Sequence, residues 1–233
     1  MITKIEEQLK RWKDHFEEVL NRPPPTAPPN IEGRQVLNIK TGDITKTEVN
    51  TAIKQLKNGK AGGIDNIPLE AIKAMDNICI DKLHQLLNKI WNDEHIPDDW
   101  RKGILIKVPK KGDKSICSNW RGIILLSIPS KVLCHIILQR LKKEVDKLLR
   151  DEQAGFRQER SCIDQIATLR IISEQTIEWQ TSLYLTFVDF ERAFDSIDHQ
   201  VLWNILRHYG IPEKSYPSSS SSMTVLHVKR AMQ

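Results

Sequence analysis

Residues 183–198 constrain the fold of this chain more than any other stretch. Residues 183–188 are an uncharged run of aliphatic, aromatic and β-branched side chains, which predicts a strand. Asp189 follows at the end of this strand, and a helix is predicted to begin near Ser196 or Asp198. A carboxylate in this position can cap the helix or open a turn. It can also give Mg²⁺ the hard oxygen ligand that phosphoryl transfer requires, and the stretch alone leaves both roles open.

Composition sets the broad class of the protein. The 233 residues are 39% apolar, which is enough to bury a core in one large domain or two small ones. The net charge of +5 favours an anionic partner, and the basic residues cluster at 101–114. The four cysteines are widely spaced and indicate neither a zinc site nor a disulfide framework. We therefore expect an intracellular protein, in nucleus or cytoplasm, with no signal peptide and no membrane span.

The first 44 residues predict a helix followed by a linker. Apolar residues recur every three or four positions through residues 1–21, which predicts an amphipathic helix that docks on another surface. The run Arg-Pro-Pro-Pro-Thr-Ala-Pro-Pro at 22–29 cannot continue a helix, because proline lacks the backbone donor. We expect residues 22–44 to form an extended linker and to mark a domain boundary.

Four further helices are predicted from apolar periodicity. The first has a capping box formed by Thr45 and Glu48. The predicted helices are residues 45–57, 80–92, 129–149 and 162–179.

Three irregular segments carry glycine with basic residues. The loop at 57–65 could bring backbone N–H groups close to a phosphate or be a simple flexible loop. Residues 101–126 predict a β-hairpin with basic side chains on its polar side. It could grip a triphosphate or a template backbone, or merely be a solvated hairpin. Arg157, in the connection at 152–162, could contact a phosphate or pair with an acid.

Taken in order, these segments resemble the reverse transcriptase of non-LTR (LINE-type) retrotransposons. The similarity covers about residues 45–213, and it depends on the order and spacing of six short blocks. The blocks are Lys57-Asn-Gly-Lys-Ala-Gly-Gly-Ile-Asp65, Pro109-Lys-Lys-Gly-Asp113, Asn119-Trp-Arg-Gly-Ile123, Gln153-Ala-Gly-Phe-Arg157, Phe187-Val-Asp-Phe-Glu-Arg-Ala-Phe-Asp195 and His208-Tyr-Gly-Ile-Pro212.

The resemblance implies an α+β fold, with helix-rich fingers and an incomplete palm of a right-hand polymerase. It implies that Asp189 is the first of three catalytic aspartates and a ligand of Mg²⁺. Phe190 would lend the metal a backbone oxygen, and Phe194 would lie under the sugar of a deoxynucleotide triphosphate. Arg121 would hold the triphosphate with either Lys107 or Lys110, and the sequence does not choose between the two lysines.

The resemblance also implies nucleic-acid partners and the residues that would lie along the template. An RNA template and a DNA primer would be bound, and the oligomeric state is left open. The residues implied along the template are Gly59, Lys60, Asp65, Gly155, Phe156 and Arg157.

One part of the family pattern is missing from this sequence. The family has a later hairpin with two adjacent aspartates, whereas the only adjacent pair here, Asp98-Asp99, precedes Asp189. The chain changes to a serine-rich tail at 214–233, which predicts disorder and a reverse transcriptase domain truncated after its first aspartate motif. We therefore expect little or no polymerase activity from this chain alone. The alternatives are a residual nucleic-acid-binding module and a marginally folded product with no function.

Overall fold

The structure is a computed structural model that describes residues 4–23, 26, 31 and 35–216. The described chain has a mixed α+β fold, as the sequence predicted. Most of the proline-rich run and residues 217–233 of the serine-rich tail lie outside the described residues. The elements are α1 (Ile5–Leu20), α2 (Lys46–Gln55), α3 (Leu69–Lys73), α4 (Asn77–Asp93), β1 (Ile104–Pro109), β2 (Trp120–Leu125), α5 (Ile128–Asp146), α6 (Cys162–Glu178) and α7 (His199–His208).

The chain divides into two compact units. The described residues up to 141 and from 194 onward belong to the first unit, and residues 142–193 form the second. In the first unit, helices α2 to α5 enclose an apolar core. Its most deeply buried side chains are Ile44, Val49, Leu69, Ile72, Leu87, Ile128, Val132 and Ile136.

The predicted helices form where local signals place them. Thr45 and Glu48 make the predicted capping box at the start of α2, with the Glu48 backbone N–H donating to Thr45 Oγ1 over 3.2 Å. Asp198 caps α7 by accepting a hydrogen bond from the Val201 backbone N–H at 2.8 Å. Helix α7 ends before Gly210, whose φ of +75° favours glycine.

Part of the segment predicted as a linker is packed into the first unit. Ile39 and Ile44 are buried, and Arg140 of α5 donates hydrogen bonds to the backbone carbonyls of Gly42 (2.8 Å) and Asp43 (2.9 Å). Arg140 also forms a bidentate pair with Glu48, at 2.7 and 2.9 Å. Only 4% of the Arg140 side chain is exposed, so this guanidinium fixes the chain before α2.

Helix α1 packs on the hairpin of β1 and β2. Phe16 and Val19 are buried, and a Cβ added to Gly122 would lie 2.8 Å from Phe16 Cε1. The ring of Trp12 also contacts that of Trp120, with centroids 5.5 Å apart. The predicted docking helix therefore has a partner that its own sequence did not identify.

The strand predicted at 183–188 does not form among the described residues, so that prediction is wrong for this structure. Residues 181–190 have no regular secondary structure, and most of their apolar side chains are exposed. A strand requires a neighbour for its backbone N–H and C=O groups. The sheet of the described residues contains only β1 and β2, so this stretch has no such neighbour there.

Candidate functional site

The hairpin places its basic residues on opposite faces. In the antiparallel register Lys107 is opposite Gly122, and Val108 is opposite Arg121. Directly opposed residues share a face and successive residues alternate. Lys107 therefore lies on the face that packs against α1, whereas Arg121 lies on the other face and is exposed.

The α1 face surrounds Lys107 with aromatic rings. Its Nζ lies 4.4 Å from the centroid of the Trp12 ring and 5.5 Å from that of Trp120. Such cation–π contacts hold the ammonium group in place. Burial lowers the pKa of Lys107, because the charged form loses water. Lys107 is therefore part of the packing between α1 and the hairpin.

Lys110 continues the Arg121 face by one step beyond β1. Its backbone N–H donates to the Asn119 carbonyl over 2.7 Å, which extends the ladder past Pro109. Alternation then puts Lys110 on the same face as Arg121. The Lys110 Nζ donates to the Ser118 carbonyl at 3.1 Å, so the side chain lies along the end of the hairpin. Of the two lysines that the sequence left open, Lys110 therefore lies on the Arg121 face of the hairpin and Lys107 on the face against α1.

The glycine-rich loop at 59–65 is ordered by contacts on both sides. Gly59 has a φ of +68°, and its backbone N–H donates to Glu70 Oε1 over 2.7 Å; this hydrogen bond is the main reason that the pKa of Glu70 is lowered. Gly63 lies so close to the chain between β2 and α5 that an added Cβ would be 2.4 Å from the Ser127 nitrogen.

Two polar residues of this loop, Asp65 and Lys60, differ in their contacts. Asp65 accepts a hydrogen bond from the Ile67 backbone N–H at 3.2 Å, as in a tight turn, and Lys60 is exposed.

In the second unit, Arg157 pairs with an acid, one of the two roles that the sequence allowed. Its Nε donates to Asp146 Oδ1 and its Nη1 donates to the Arg150 carbonyl, at 2.8 and 2.7 Å. Only 5% of the side chain is exposed. The hydrogen bond from Arg157 lowers the pKa of Asp146. The guanidinium therefore closes the turn after α5.

The turn that Arg157 closes presents an aromatic ring. Phe156 has a φ of +62° and is 96% exposed, while Gly155 beside it has open space where a side chain would be. An exposed ring on a turn held by the hydrogen bonds of Arg157 is a suitable stacking surface for a base.

The predicted catalytic carboxylate lies in the irregular stretch of the second unit. Asp189 and Phe190 are both exposed, and Phe194, which belongs to the first unit, is 72% exposed. Among the residues that the structure describes, no group of three or more histidine, cysteine or acidic side chains could hold a metal ion.

The adjacent aspartates that precede Asp189 in the sequence form ion pairs with nearby basic residues. Asp98 and Asp99 lie in a short 3-10 turn, where they pair with Arg101 at 3.5 Å and Lys102 at 3.4 Å, respectively.

Sequence reasoning missed the aromatic residues around Lys107 and the pairing of Arg140 with Glu48. The periodicity of α1 predicted the stripe that contains Trp12 and Phe16, but nothing in it identified the hairpin as their partner. Gly122, opposite Lys107, leaves room for the Phe16 ring. This indication of where α1 packs could be used only once the strand register was known. No helix within the described part of the chain is long and apolar enough to cross a membrane.

Comparison with known proteins agrees with the family that the sequence resembles. Residues 108–230 match the model of a family described as reverse transcriptase (RNA-dependent DNA polymerase). The chain is 26% identical over 181 residues to an uncharacterized 149 kDa protein of transposon TX1 from Xenopus laevis, covering 78% of this chain and 14% of that protein.

Two Drosophila melanogaster proteins match this chain with comparable sequence identity and coverage. A probable RNA-directed DNA polymerase from transposon BS is 28% identical over 176 residues, 74% of this chain and 19% of that protein. A putative 115 kDa protein in the type-1 retrotransposable element R1DM is 30% identical over 168 residues, 71% of this chain and 16% of that protein. The chain thus spans less than a fifth of the length of these relatives.

Proposed function

Because the chain belongs to the reverse transcriptase (RNA-dependent DNA polymerase) family, we propose that it is part of an RNA-directed DNA polymerase of a non-LTR retrotransposon. Its helices and hairpin would supply the fingers, and residues 183–198 the beginning of the palm. The observation that carries the proposal is the family match over residues 108–230. The hairpin register then separates a basic residue used for packing from those available to a ligand.

In this proposal Arg121 and Lys110 hold the triphosphate of an incoming deoxynucleotide. A guanidinium binds phosphate oxygens through two parallel hydrogen bonds, and an ammonium group adds a point charge. Their shared face and the exposure of Arg121 support this assignment. The proposal prefers Lys110 to Lys107, because the Lys107 ammonium group lies over the rings of Trp12 and Trp120.

Titration with a deoxynucleotide triphosphate tests the assignment. We expect Arg121→Ala to weaken binding by roughly tenfold or more, since hydrogen bonds to charged groups contribute about 1.5–3 kcal/mol. Lys110→Ala should weaken it as well. Lys107→Met is the matched control, because it removes a charge from the same hairpin on the opposite face. Equal losses from Lys107→Met and Arg121→Ala would contradict the assignment.

Two surfaces are proposed along the template. One is the loop containing Gly59, Lys60 and Asp65, where the exposed lysine can approach a phosphate. The other is the turn of Gly155 and Phe156, where the ring can stack on a base. Arg157 would position that turn through its hydrogen bonds rather than contact the template.

Asp189 is the proposed first ligand of Mg²⁺, with Phe190 offering a backbone oxygen and Phe194 lying under the sugar. The described residues do not fit a complete site for this metal. Asp189 is exposed, and no cluster of three ligating side chains exists in the described part of the chain. One carboxylate is a poor cage for two divalent ions, which together carry four positive charges.

We therefore propose that this chain alone has little or no polymerase activity. Primer extension on an RNA template with Mg²⁺ tests this directly, with Asp189→Asn as the control. The expected result is no extension by either protein. Robust extension that the Asp189→Asn change abolishes would disprove the proposed inactivity.

A second candidate function is non-catalytic binding of nucleic acid through the hairpin. It is favoured by the exposure of Arg121 on the sheet face opposite α1, and by the exposure of Lys111 in the loop that joins the two strands. Such binding should weaken steeply with salt and loosen when Lys110, Lys111 and Arg121 become alanine. Binding that is insensitive to salt, or no binding, would eliminate this candidate.

A further inference from the structure

The loop that joins β1 to β2, residues 110–119, is held by side-chain hydrogen bonds. Asp113 accepts hydrogen bonds from the backbone N–H and the hydroxyl of Ser115, at 2.8 and 2.7 Å. The Trp120 Nε1 donates to the Lys114 carbonyl over 3.0 Å, which ties the middle of the loop to the first residue of β2. Exposed loops without such bonds are among the most mobile parts of a domain. These contacts therefore give the loop a defined shape.

The indole of Trp120 is held on its other side by α1. Its ring meets that of Trp12 edge to face, with the centroids 5.5 Å apart and the planes at 74°. Trp12 in turn stacks on the buried Phe16, with the centroids 6.1 Å apart. The Lys107 ammonium lies 5.5 Å from the centroid of the Trp120 ring. Edge-to-face and cation–π contacts both favour one orientation of a ring, so α1 fixes the indole that ties the loop.

The two cations proposed to bind the triphosphate lie at the ends of this loop. Lys110 begins the loop, and its ammonium group donates to the Ser118 carbonyl over 3.1 Å. Arg121 follows Trp120 directly and lies on the opposite face of the hairpin. In the extended register Lys110 and Arg121 are diagonal neighbours on one face, which places them about 7–8 Å apart. Two long side chains at this separation can reach one triphosphate, provided that the loop keeps its shape.

We propose that Trp120 is a positioning residue of the triphosphate site and that Trp12 of α1 is its support. The indole N–H holds the loop in the shape that places Lys110 beside Arg121. Trp120 itself does not contact the nucleotide, because it lies on the face that packs against α1. This role rests on the proposed binding of a deoxynucleotide triphosphate by the hairpin.

Helix α1 thereby becomes part of the nucleotide site. It lies before the segment that matches the family model, residues 108–230. Its buried residues Phe16 and Val19 attach it to the first unit by apolar contact. A segment outside the matched region would thus affect nucleotide binding without contacting the nucleotide.

Trp120→Phe separates the indole N–H from the ring. Phenylalanine keeps an aromatic ring against Trp12 but has no donor for the Lys114 carbonyl. We expect amides within residues 111–118 to exchange hydrogen at least about threefold faster, because one hydrogen bond of the loop is lost. We expect the dissociation constant for deoxythymidine triphosphate (dTTP) in equilibrium dialysis to rise roughly threefold to tenfold. Trp100→Phe is the matched control, because it makes the same chemical change in the same unit outside the hairpin.

Two substitutions of Trp12 test the support from α1. Trp12→Ala removes the ring that contacts Trp120 and should weaken dTTP binding about as much as Trp120→Phe does. Trp12→Phe keeps a ring at this place and should recover most of the affinity. Urea unfolding of the same variants separates a loss of affinity from a loss of stability.

The route through Lys110 gives a result that a purely structural role would not produce. In the Lys110→Ala variant the lysine that the loop places is gone, so adding Trp120→Phe should weaken dTTP binding by less than about twofold further. Losses that multiply would overturn the positioning role. Unchanged amide exchange within residues 111–118 of Trp120→Phe would overturn it as well.

The dTTP titrations distinguish this role from the function on which it rests. If the unsubstituted chain binds no dTTP, or if Arg121→Ala binds it equally well, the triphosphate assignment is wrong and the positioning role falls with it. If Arg121→Ala weakens binding and Trp120→Phe does not, the assignment stands and only the positioning role is overturned.

Discussion

The pair formed by Glu48 and Arg140 predicts a contribution to stability that depends on pH, and Glu48→Gln isolates it. Burial by itself would raise the pKa of Glu48, but hydrogen bonds from Arg140 and Thr45 lower it from 4.5 to about 2. Glutamine keeps the size of the side chain and one acceptor while removing the charge. The substitution therefore tests the ionic part of the contact between α5 and the start of α2.

The expected magnitude follows from that change in pKa. A pKa lowered from 4.5 to about 2 corresponds to about 3 kcal/mol of stability in favour of the ionised form. Because 24% of the Glu48 side chain remains exposed and solvent screens the charge, we expect about 2 kcal/mol. The pKa is lower in the folded state than in the unfolded state. The contribution is therefore complete at pH values well above 4.5 and is lost as the pH falls through 2.

Urea unfolding followed by tryptophan fluorescence at pH 7, 4 and 3 measures the effect. The free energy of unfolding should differ between the two proteins most at pH 7, and the difference should shrink at each lower pH. Glu17→Gln is the control, because Glu17 forms a half-exposed pair with Lys13 at 3.5 Å and should change stability by less than ~1 kcal/mol. A difference that stays constant from pH 7 to pH 3 would refute the reasoning, as would equal effects of the two substitutions.

Three further predictions concern close contacts. Gly122→Val should separate α1 from the hairpin, because the Cβ alone would come within 2.8 Å of Phe16; we expect a loss of about 1–3 kcal/mol in chemical unfolding and faster amide exchange in α1. Gly63→Ala should cost roughly 2 kcal/mol or more, because its Cβ would meet backbone atoms that cannot rotate away, and thermal unfolding measures this. Arg157→Met should speed proteolysis within residues 142–193. Because the pKa of Asp146 is lowered in the folded state, the effect of Arg157→Met should be smaller below the usual aspartate pKa than at pH 7.

Local sequence determined most of the secondary structure and the family. Helices α2, α4, α5 and α6 lie within about three residues of their predicted ends, because periodicity and capping act over one or two turns. The hairpin also formed as predicted, since its two strands are close in sequence. The match to the reverse transcriptase family covers residues 108–230, which contain five of the six blocks.

Tertiary structure decided what the basic and apolar residues do. It assigned Lys107 to packing against Trp12, engaged Arg157 with Asp146, and joined Arg140 to Glu48, 92 positions away in the chain. It also left residues 183–188 without a neighbouring strand among the described residues. The reason is that a helix stripe or a capping box is satisfied by residues a few positions apart. A strand's hydrogen bonds, and the partner of a buried charge, depend instead on which distant segment lies beside them.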